Sequence, residues 1–574
     1  MIRAATSGRD SGHLAASAEL TQGFRASGWW GDHCLLDWWR MATLASPDAL
    51  AVVDRGGSAF TYAQLDDQSS RLAGWLRDKG VGPGDVVGVQ LPNWAEFMVA
   101  FVATTKVGAT INPLSANLRR SELIHAIGTC ATKVLLMPTF CRSTDYRPLA
   151  AELLAAGVGL EEVLHVRDHG GLPGSASPYL EVLTTTAPLP AADWVRRGGD
   201  DVAAILFTSG SEADPKGVML SNNNLIASET AFAYALRLGV DDRMFMPAPL
   251  GHATGFMHGV IMPILTRGTS ILSDSTEGPV MADLIRRHGA TCGMAVPTVI
   301  DSLLCVCECL GGGLETVRFL CCGGAPVPRR LLERARDLGV RLYSVYGSTE
   351  SAPHTMTTFH DSDERVLSTD GRACPGTEVR IVDPVTRQPL PPGAEGEECS
   401  RGPAVFCGYA GQAKLTSEVR DSGGWYYSGD LAVMDADGYI RITGRCKDVI
   451  ERGGENISAA EVERALLCHP SIRAAAVVPM PDDVLGERAC AFLVSRDGSH
   501  LDVQALRDYF VSAGIAKFKI PERVEYLDAM PLTGSGKVAK AVLRQRAAHL
   551  RVDGGSTPSA GEDHHCAVSS RSRS

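Results

Sequence analysis

The chain has 574 residues, too many for one core, and a length that calls for about two to four domains. Apolar residues make up 45% and charged residues 21%, a globular composition that excludes disorder through the bulk of the chain. The formal net charge of −11 excludes a broad basic face for nucleic acid. It leaves local Lys, Arg and backbone N–H groups free to hold an anionic ligand.

In chain order, residues 1–34 read as an N-terminal extension, poorly ordered at its start. Arg9 and Asp10 interrupt the apolar stretch that a signal peptide needs. The longest apolar region, Phe97–Ile111, is broken by Thr104, Thr105 and Lys106, so no membrane span is expected. The expected location is the cytoplasm. Residues 35–445 alternate short β-branched runs (VVGVQL, KVLLM, AAILFT, TSILS, VRFLCC) with amphipathic stretches such as TYAQLDDQSSRLAGWLRDKG and PVMADLIRRHG. That alternation predicts a large α/β domain with parallel-rich sheets.

Sixteen cysteines in such a chain do not suggest a disulfide framework. Cys305, Cys307 and Cys309 sit in an apparent helix, where only Cys305 and Cys309 share a face, and they read as small apolar thiols rather than metal ligands. Residues 446–550 read as a second, smaller α+β domain. Its first helix is ISAAEVERALLCHP, with Ser458 as N-cap and Glu461 three residues on expected to complete a capping box. The strand-like AAAVVPM and ACAFLVS follow, then a helix ending at Gly514. Residues 551–574, including His564, His565 and Cys566, form a polar low-complexity tail expected to be disordered.

The first segment that carries chemistry is Thr208-Ser209-Gly210-Ser211-Glu212-Ala213-Asp214-Pro215-Lys216-Gly217, between a strand and a strand–helix start. Hydroxyls, a glycine and a lysine in one loop suit phosphate oxygens, with backbone N–H donors and the lysine as a point charge. Taken alone, the segment equally reads as a polar surface loop. It lacks the G-x-x-x-x-G-K-[ST] pattern, as does the region of Gly536-Lys537, which removes the main support for a kinase-like or motor ATPase.

Six further motifs follow in order: Gly323-Gly324-Ala325-Pro326, Tyr346-Gly347-Ser348-Thr349-Glu350, Tyr427-Ser428-Gly429-Asp430, Gly444-Arg445-Cys446-Lys447-Asp448, Gly453-Gly454-Glu455-Asn456-Ile457 and Pro531-Leu532-Thr533-Gly534-Ser535-Gly536-Lys537. Together with the loop they resemble the adenylate-forming superfamily of acyl-CoA synthetases, aryl-CoA ligases, peptide-synthetase adenylation domains and luciferases. The resemblance spans about residues 35–548.

The resemblance implies ATP as the activating substrate, Mg²⁺ as its metal and coenzyme A as the acceptor. It implies that Thr208, Ser209, Gly210, Ser211 and Lys216 wrap phosphates, and that Gly324, Ala325 and Pro326 let an adenine approach backbone. Tyr346 would stack on that adenine, with Gly347 and Ser348 beside it. Thr349 would reach the α-phosphate, Glu350 would hold Mg²⁺, and Asp430 and Arg445 would hold the ribose side. Lys537 would stabilise charge in the adenylation step. Lys447 would be the hinge of a domain alternation that brings Gly453, Gly454 and Glu455 to a thiol tunnel.

For the acid, His252 would border the carboxylate in a pocket with Phe256, Met257, Val296, Pro297, Thr298 and Gly323. Amino-acid-activating relatives carry an Asp in this region, and none is present between Pro249 and Gly259. Hydroxybenzoate-activating relatives place Asn after the His, where this chain has Ala253. The pocket therefore fits an alkyl or alicyclic acid, and the chain looks most similar to bacterial short- and medium-chain fatty acyl-CoA synthetases and cyclohexanecarboxylate-CoA ligases. His258 has no assigned role. An acyl carrier protein as the acyl acceptor, a non-catalytic nucleotide-binding relative and the oligomeric state stay open at this level.

One departure from the family pattern is testable. Glu212 adds a negative charge near phosphates, and Ala213 removes glycine freedom from the loop. Ala213→Gly is expected to lower the KM for ATP or raise turnover. Unchanged steady-state kinetics would show that the alanine does not slow loop closure.

Overall fold

A computed structural model describes residues 17–167, 178–208, 215–452, 455–482, 484–496, 498–501, 503–512, 515–533 and 537–550. They divide into two compact units. The larger takes the described residues of Met1–Lys447 together with those of Pro531–Ala541, and the smaller takes those of Asp448–Met530 and Val542 onward. The division at Lys447/Asp448 lies two residues beyond the boundary expected from sequence. Pro531–Ala541, expected in the small domain, groups with the larger unit instead.

The larger unit is built on two sheets that are parallel inside and antiparallel at an edge, the α/β layering expected from alternating strands and helices. In the nine-stranded sheet, six strands run parallel in the order Leu342–Ser348, Phe319–Gly323, Cys292–Ala295, Arg243–Met246, Thr269–Leu272 and Leu50–Asp54. Ala352–Met356 and Arg372–Ala373 add antiparallel strands beyond Leu342–Ser348. In the seven-stranded sheet, Val202–Thr208 borders four other parallel strands and turns back, antiparallel, into Lys216–Ser221. A third sheet, antiparallel throughout, has the order Glu378–Val382, Glu395–Arg401, Tyr426–Met434, Ile440–Arg445.

Parallel strands buried on both faces need apolar residues at every position, which is what FLCCG and CGMA supply. The helix Ala95–Lys106 is likewise buried almost throughout. Its last residue, Lys106, is fully buried and fully bonded, to Asp66 Oδ1 at 2.7 Å and to the Ser69 and Ser70 hydroxyls. Cys305 and Cys309 are exposed on the helix Pro297–Leu310 while Cys307 is buried, so their i, i+2 alternation is that of a helix face. No group of three or more His, Cys, Asp or Glu side chains arranged to hold a metal occurs among the described residues.

Residues 17–34, read from sequence as part of an extension, are docked on the larger unit. The helix Ala18–Ala26 is capped by Ser17. Arg25 pairs with Asp200 at 2.6 Å, and the Trp30 indole donates to the Pro403 carbonyl at 2.9 Å. Trp30 and Arg25 supply contacts that a mixed composition conceals.

In the smaller unit Ser458 caps the helix Ala459–Leu467, accepting from the Glu461 N–H, while the Glu461 carboxylate pairs with Lys519 at 2.7 Å. A five-stranded sheet centred on Ile472–Asp482 and Gly486–Ser495 backs this helix, with Phe510, Leu506 and Leu466 in its core. Among the described residues no helix is long and apolar enough to cross a membrane.

One close approach in the larger unit fixes the spacing of two neighbouring parallel strands. A Cβ on Gly323 would stand 2.4 Å from the Val345 carbonyl oxygen of the adjacent strand. Gly323→Ala is therefore expected to force the Phe319–Gly323 and Leu342–Ser348 strands apart and destabilise the larger unit by about 1–3 kcal/mol. Urea unfolding followed by tryptophan fluorescence measures this.

Candidate active site

The chemistry-bearing residues of the larger unit gather at the carboxyl ends of its parallel strands, where open α/β sheets bind ligands. Phe319–Gly323 ends beneath Gly324, which is exposed and adopts a left-handed φ of 78°. A Cβ at Gly324 would meet Val296 Cγ1 at 3.5 Å and Lys537 Cε at 3.6 Å. The glycine thus lets a lysine stem and a strand end share one small space, with Ala325 and Pro326 leading away from it.

Leu342–Ser348 and Ala352–Met356 form the tight hairpin that carries Tyr346, Gly347, Ser348, Thr349 and Glu350. Ala352 holds a left-handed φ of 56°, and a Cβ on Gly347 would lie 2.1 Å from the Ala352 carbonyl oxygen. Glu350 sits in the turn, buried, and accepts from the Tyr409 hydroxyl at 2.7 Å. Burial, and then this carboxylate, push the Tyr409 phenol far above its ordinary range, so the phenol is the donor. The same ring lies under Lys216, whose Nζ is 5.1 Å from its centroid. Lys216 pairs in register with Thr208, so the two ends of the phosphate-type loop are clamped side by side. Ser209, Gly210 and Ser211, with Glu212 and Ala213, lie outside the described residues.

The third sheet closes the other wall. Gly429, with φ 72°, turns the strand Tyr426–Met434 so that Asp430 projects towards Tyr346. The Tyr346 hydroxyl donates to Asp430 Oδ2 at 2.8 Å. Asp430 and Arg445 are cross-strand partners, and Arg445 Nε donates to Asp430 Oδ1 at 2.7 Å. The carboxylate is thus held at both oxygens.

Lys537 ends a turn closed by Thr533 N–H to the Lys537 carbonyl at 2.7 Å and Lys537 N–H to Thr533 Oγ1 at 3.2 Å. The residue keeps solvent access as a whole, yet the walls crowding its ammonium lower its pKa. That burial is the leading cause and the Arg445 guanidinium adds to it, while Asp430 and Glu350 act in the opposite sense.

His252 precedes the short helix Ala253–Phe256, which continues through a π-helical turn, Met257–Ile261. Phe256 is fully buried, edge-on to Phe101 at 5.6 Å. Val296 and Pro297 start the helix Pro297–Leu310, next to Gly324, and Thr298 is exposed. His258 is buried and bonded to Glu229 at 2.8 Å, with the Phe232 ring tilted against it, centroids 4.3 Å apart. Glu455 starts the strand Glu455–Ser458 in the smaller unit. Gly453 and Gly454 lie outside the described residues, as does the side chain of Lys447, although the unit boundary falls at that residue.

Several residues at this site gave no sequence signal. Tyr409 comes from a two-residue strand, and no spacing links it to Glu350. Asn93 is buried and saturated: its amide donates to the Met246, Ala248 and Ser273 carbonyls and its oxygen accepts from Leu250 N–H at 3.0 Å. It therefore fixes the segment that leads into His252. The sequence shows only an Asn in LPNW, and its burial appears first in the structure. Asn93→Ala is expected to leave these backbone groups unmatched and cost about 3 kcal/mol, read as a lowered urea midpoint of the intact chain.

This geometry agrees with what known proteins resemble the chain. The family model "AMP-binding enzyme" matches residues 39–410, and "AMP-binding enzyme C-terminal domain" matches residues 461–537. The chain is 42% identical to the medium-chain fatty-acid–CoA ligase of Escherichia coli (strain K12) over 533 residues, covering 93% of this chain and 94% of that protein. It is 32% identical to the salicyl-AMP ligase / salicyl-S-ArCP synthetase of Mycobacterium tuberculosis, covering 93% and 94%. The crystal structure of ATP-bound MatB from Rhodopseudomonas palustris superposes with a TM-score of 0.80 at 28% identity, covering 89% of this chain and 98% of that one.

Proposed function

The chain belongs to the AMP-binding enzyme family, and from that premise we propose that it activates a medium-chain or alicyclic carboxylic acid with ATP and passes the acyl group to coenzyme A. The observation that carries this reading is that Lys537, packed beside Gly324 and Val296, also feels the charges of Arg445, Asp430 and Glu350.

In the first half-reaction an oxygen of the substrate carboxylate bonds to the α-phosphorus, the α–β bridging bond breaks, and pyrophosphate leaves with the electron pair. Tyr346 offers an aromatic face for adenine, and Asp430, held by Tyr346 and Arg445, accepts from ribose hydroxyls. Thr208 and Lys216 flank the phosphates, with Ser209, Gly210 and Ser211 between them. Lys537 places its ammonium against the oxygens that gain charge. Glu350 suits Mg²⁺, which takes one or two carboxylates plus phosphate oxygens, and the ion supplies charge neutralisation when bound. Thr349 lies next to it at the turn.

In the second half-reaction a thiolate sulfur bonds to the acyl carbon, and AMP leaves with its oxygen. Gly453, Gly454 and Glu455 are assigned to the thiol path by the family resemblance alone, and the assignment of Lys447 as hinge is supported by the unit boundary that falls after it. His252, Phe256, Pro297, Thr298 and Gly323 are assigned to the acid side. The absence of a carboxylate from residues 249–259 supports an acid without an ammonium group, which would stand unpaired there. A second reading delivers the acyl group to a carrier-bound thiol. It is favoured by the similarity to a protein described as a salicyl-S-ArCP synthetase.

Pyrophosphate release across a panel of acids, with and without coenzyme A, tests both readings. Wild type is expected to release pyrophosphate with medium-chain or alicyclic acids and to form the acyl-CoA. Lys537→Ala is expected to lose about a hundredfold or more in acyl-adenylate formation. Because the lysine must be charged and its pKa lies below the ordinary 10.5, wild-type adenylation falls on the alkaline side at a pH below that value. Pyrophosphate release without acyl-CoA moves the assignment to the carrier thiol, and silence across the panel overturns the acid class.

A further inference from the structure

Beneath the Tyr346–Asp430 pair lies a second, wholly buried layer that the reaction does not use. His354, on the return strand of the hairpin, and Glu398, on the strand Glu395–Arg401, are about 1% and 0% exposed at their side chains. His354 Nε2 is 3.1 Å from Glu398 Oε1. Its Nδ1 is 3.1 Å from the Ala352 carbonyl and 2.9 Å from the Ser351 hydroxyl, which in turn meets Ser348 Oγ at 3.0 Å. The other Glu398 oxygen lies 3.2 Å from the Tyr346 hydroxyl. The His354 ring also packs edge-on against Tyr346, with centroids 4.9 Å apart.

The contacts of this layer are those of an ion pair. The Ala352 carbonyl oxygen only accepts, which places a proton on Nδ1, and an ionised Glu398 only accepts, which places one on Nε2. With both protons the ring is an imidazolium, and the Ser351 hydroxyl completes its shell as acceptor while donating onward.

The same count applies at Tyr346. One phenolic proton faces two carboxylates, Glu398 at 3.2 Å and Asp430 at 2.8 Å. It goes to the nearer Asp430 only if something else answers the charge of Glu398, and His354 is placed to do that. Burial, the largest single effect, works against a charged ring, but Glu398, with the Ala352 carbonyl and Asp430 adding to it, holds His354 above the ordinary histidine range. The other titratable groups facing this layer are Tyr346, Asp430, Glu397 and the Cys399 thiol, with Arg445 and Lys537 beyond Asp430.

We propose that His354 is a buried imidazolium that acts through Glu398 as a positioning residue for the nucleotide: by neutralising Glu398 it commits the Tyr346 proton to Asp430 and fixes the carboxylate that receives the ribose. Without that charge Glu398 competes for the phenol, and Asp430 loses one of its two fixed partners. The inference rests on the assignment of Tyr346 and Asp430 to the nucleotide.

The test uses the full chain. His354→Gln is expected to raise the KM for ATP and the Kd for AMP by about tenfold, with the KM of the acid changed less than twofold. His354→Gln/Glu398→Gln, which removes both charges, is expected to recover most of the nucleotide affinity. A protein merely loosened by the substitution gives a different pattern, with both KM values rising, the melting temperature falling and no recovery in the double variant. That pattern overturns the proposal, as does an unchanged KM for ATP in His354→Gln. If His354→Gln does not fold, nitrogen-15 NMR of histidine-labelled wild type decides. A buried histidine protonated on both nitrogens at pH 7 supports the proposal, and its absence overturns it. Asp430→Ala separates the two levels. AMP binding unchanged in that variant removes the nucleotide assignment itself, whereas weak binding there with intact binding in His354→Gln removes only the role of His354.

Discussion

The site depends on one tight hairpin. Between Leu342–Ser348 and Ala352–Met356 the chain reverses over three residues, with Gly347 pressed against the Ala352 carbonyl and Ala352 itself left-handed. A non-glycine residue in that conformation costs roughly 1–2 kcal/mol and persists only where its surroundings over-determine it. Here they do. Glu350 in the turn is tied to Tyr409 of the seven-stranded sheet, and Tyr346 on one arm is tied to Asp430 of the antiparallel sheet. His354, on the other arm, is tied to Glu398. One reversal thereby joins the three large sheets of the larger unit at the point where their polar residues meet.

The neighbouring strand end obeys a complementary constraint. Gly323 admits no side chain because the Val345 carbonyl occupies that space, and Gly324 carries the positive φ that turns the chain away. Backbone and lysine methylene can then share the space above the strand end. This also explains the run of small thiols in Phe319–Gly323: Cys321 and Cys322 are buried, and burial pushes both thiols up, leaving them neutral packing residues.

Much of this was legible in the sequence because its causes are local. Strand–helix alternation reflects burial periodicity, and the glycine motifs reflect backbone that cannot carry a side chain. The pairing of Asp430 with Arg445 was reachable only as a resemblance, since their spacing of fifteen residues means nothing until a hairpin puts them in register. Tyr409, Asn93, His354 and Glu398 were not legible, because each acts through a partner tens to hundreds of residues away. Glu398 left only a faint trace, a carboxylate at a buried position of its strand. Residues 17–34 were read as an extension for the same reason: what docks them is long-range, from Trp30 to Pro403 and Arg25 to Asp200.

Charge imposes the remaining constraint. An acidic chain that handles a polyphosphate must concentrate positive charge locally and keep its own carboxylates from spoiling it. Lys216, Arg445 and Lys537 supply the cations, but Glu350, Asp430, Glu398 and Glu397 stand close behind them. Each of these carboxylates has its own partner: Tyr409 for Glu350, Tyr346 and Arg445 for Asp430, the Gly429 N–H for Glu397 and His354 for Glu398. Of the four, Glu398 has the least access to water, and an isolated carboxylate in such a place is expensive. Removing either member of a buried ion pair leaves the other uncompensated, which costs more than removing both. The His354–Glu398 layer is therefore held in one charge state, and it meets Asp430 only through the direction of one phenolic O–H bond.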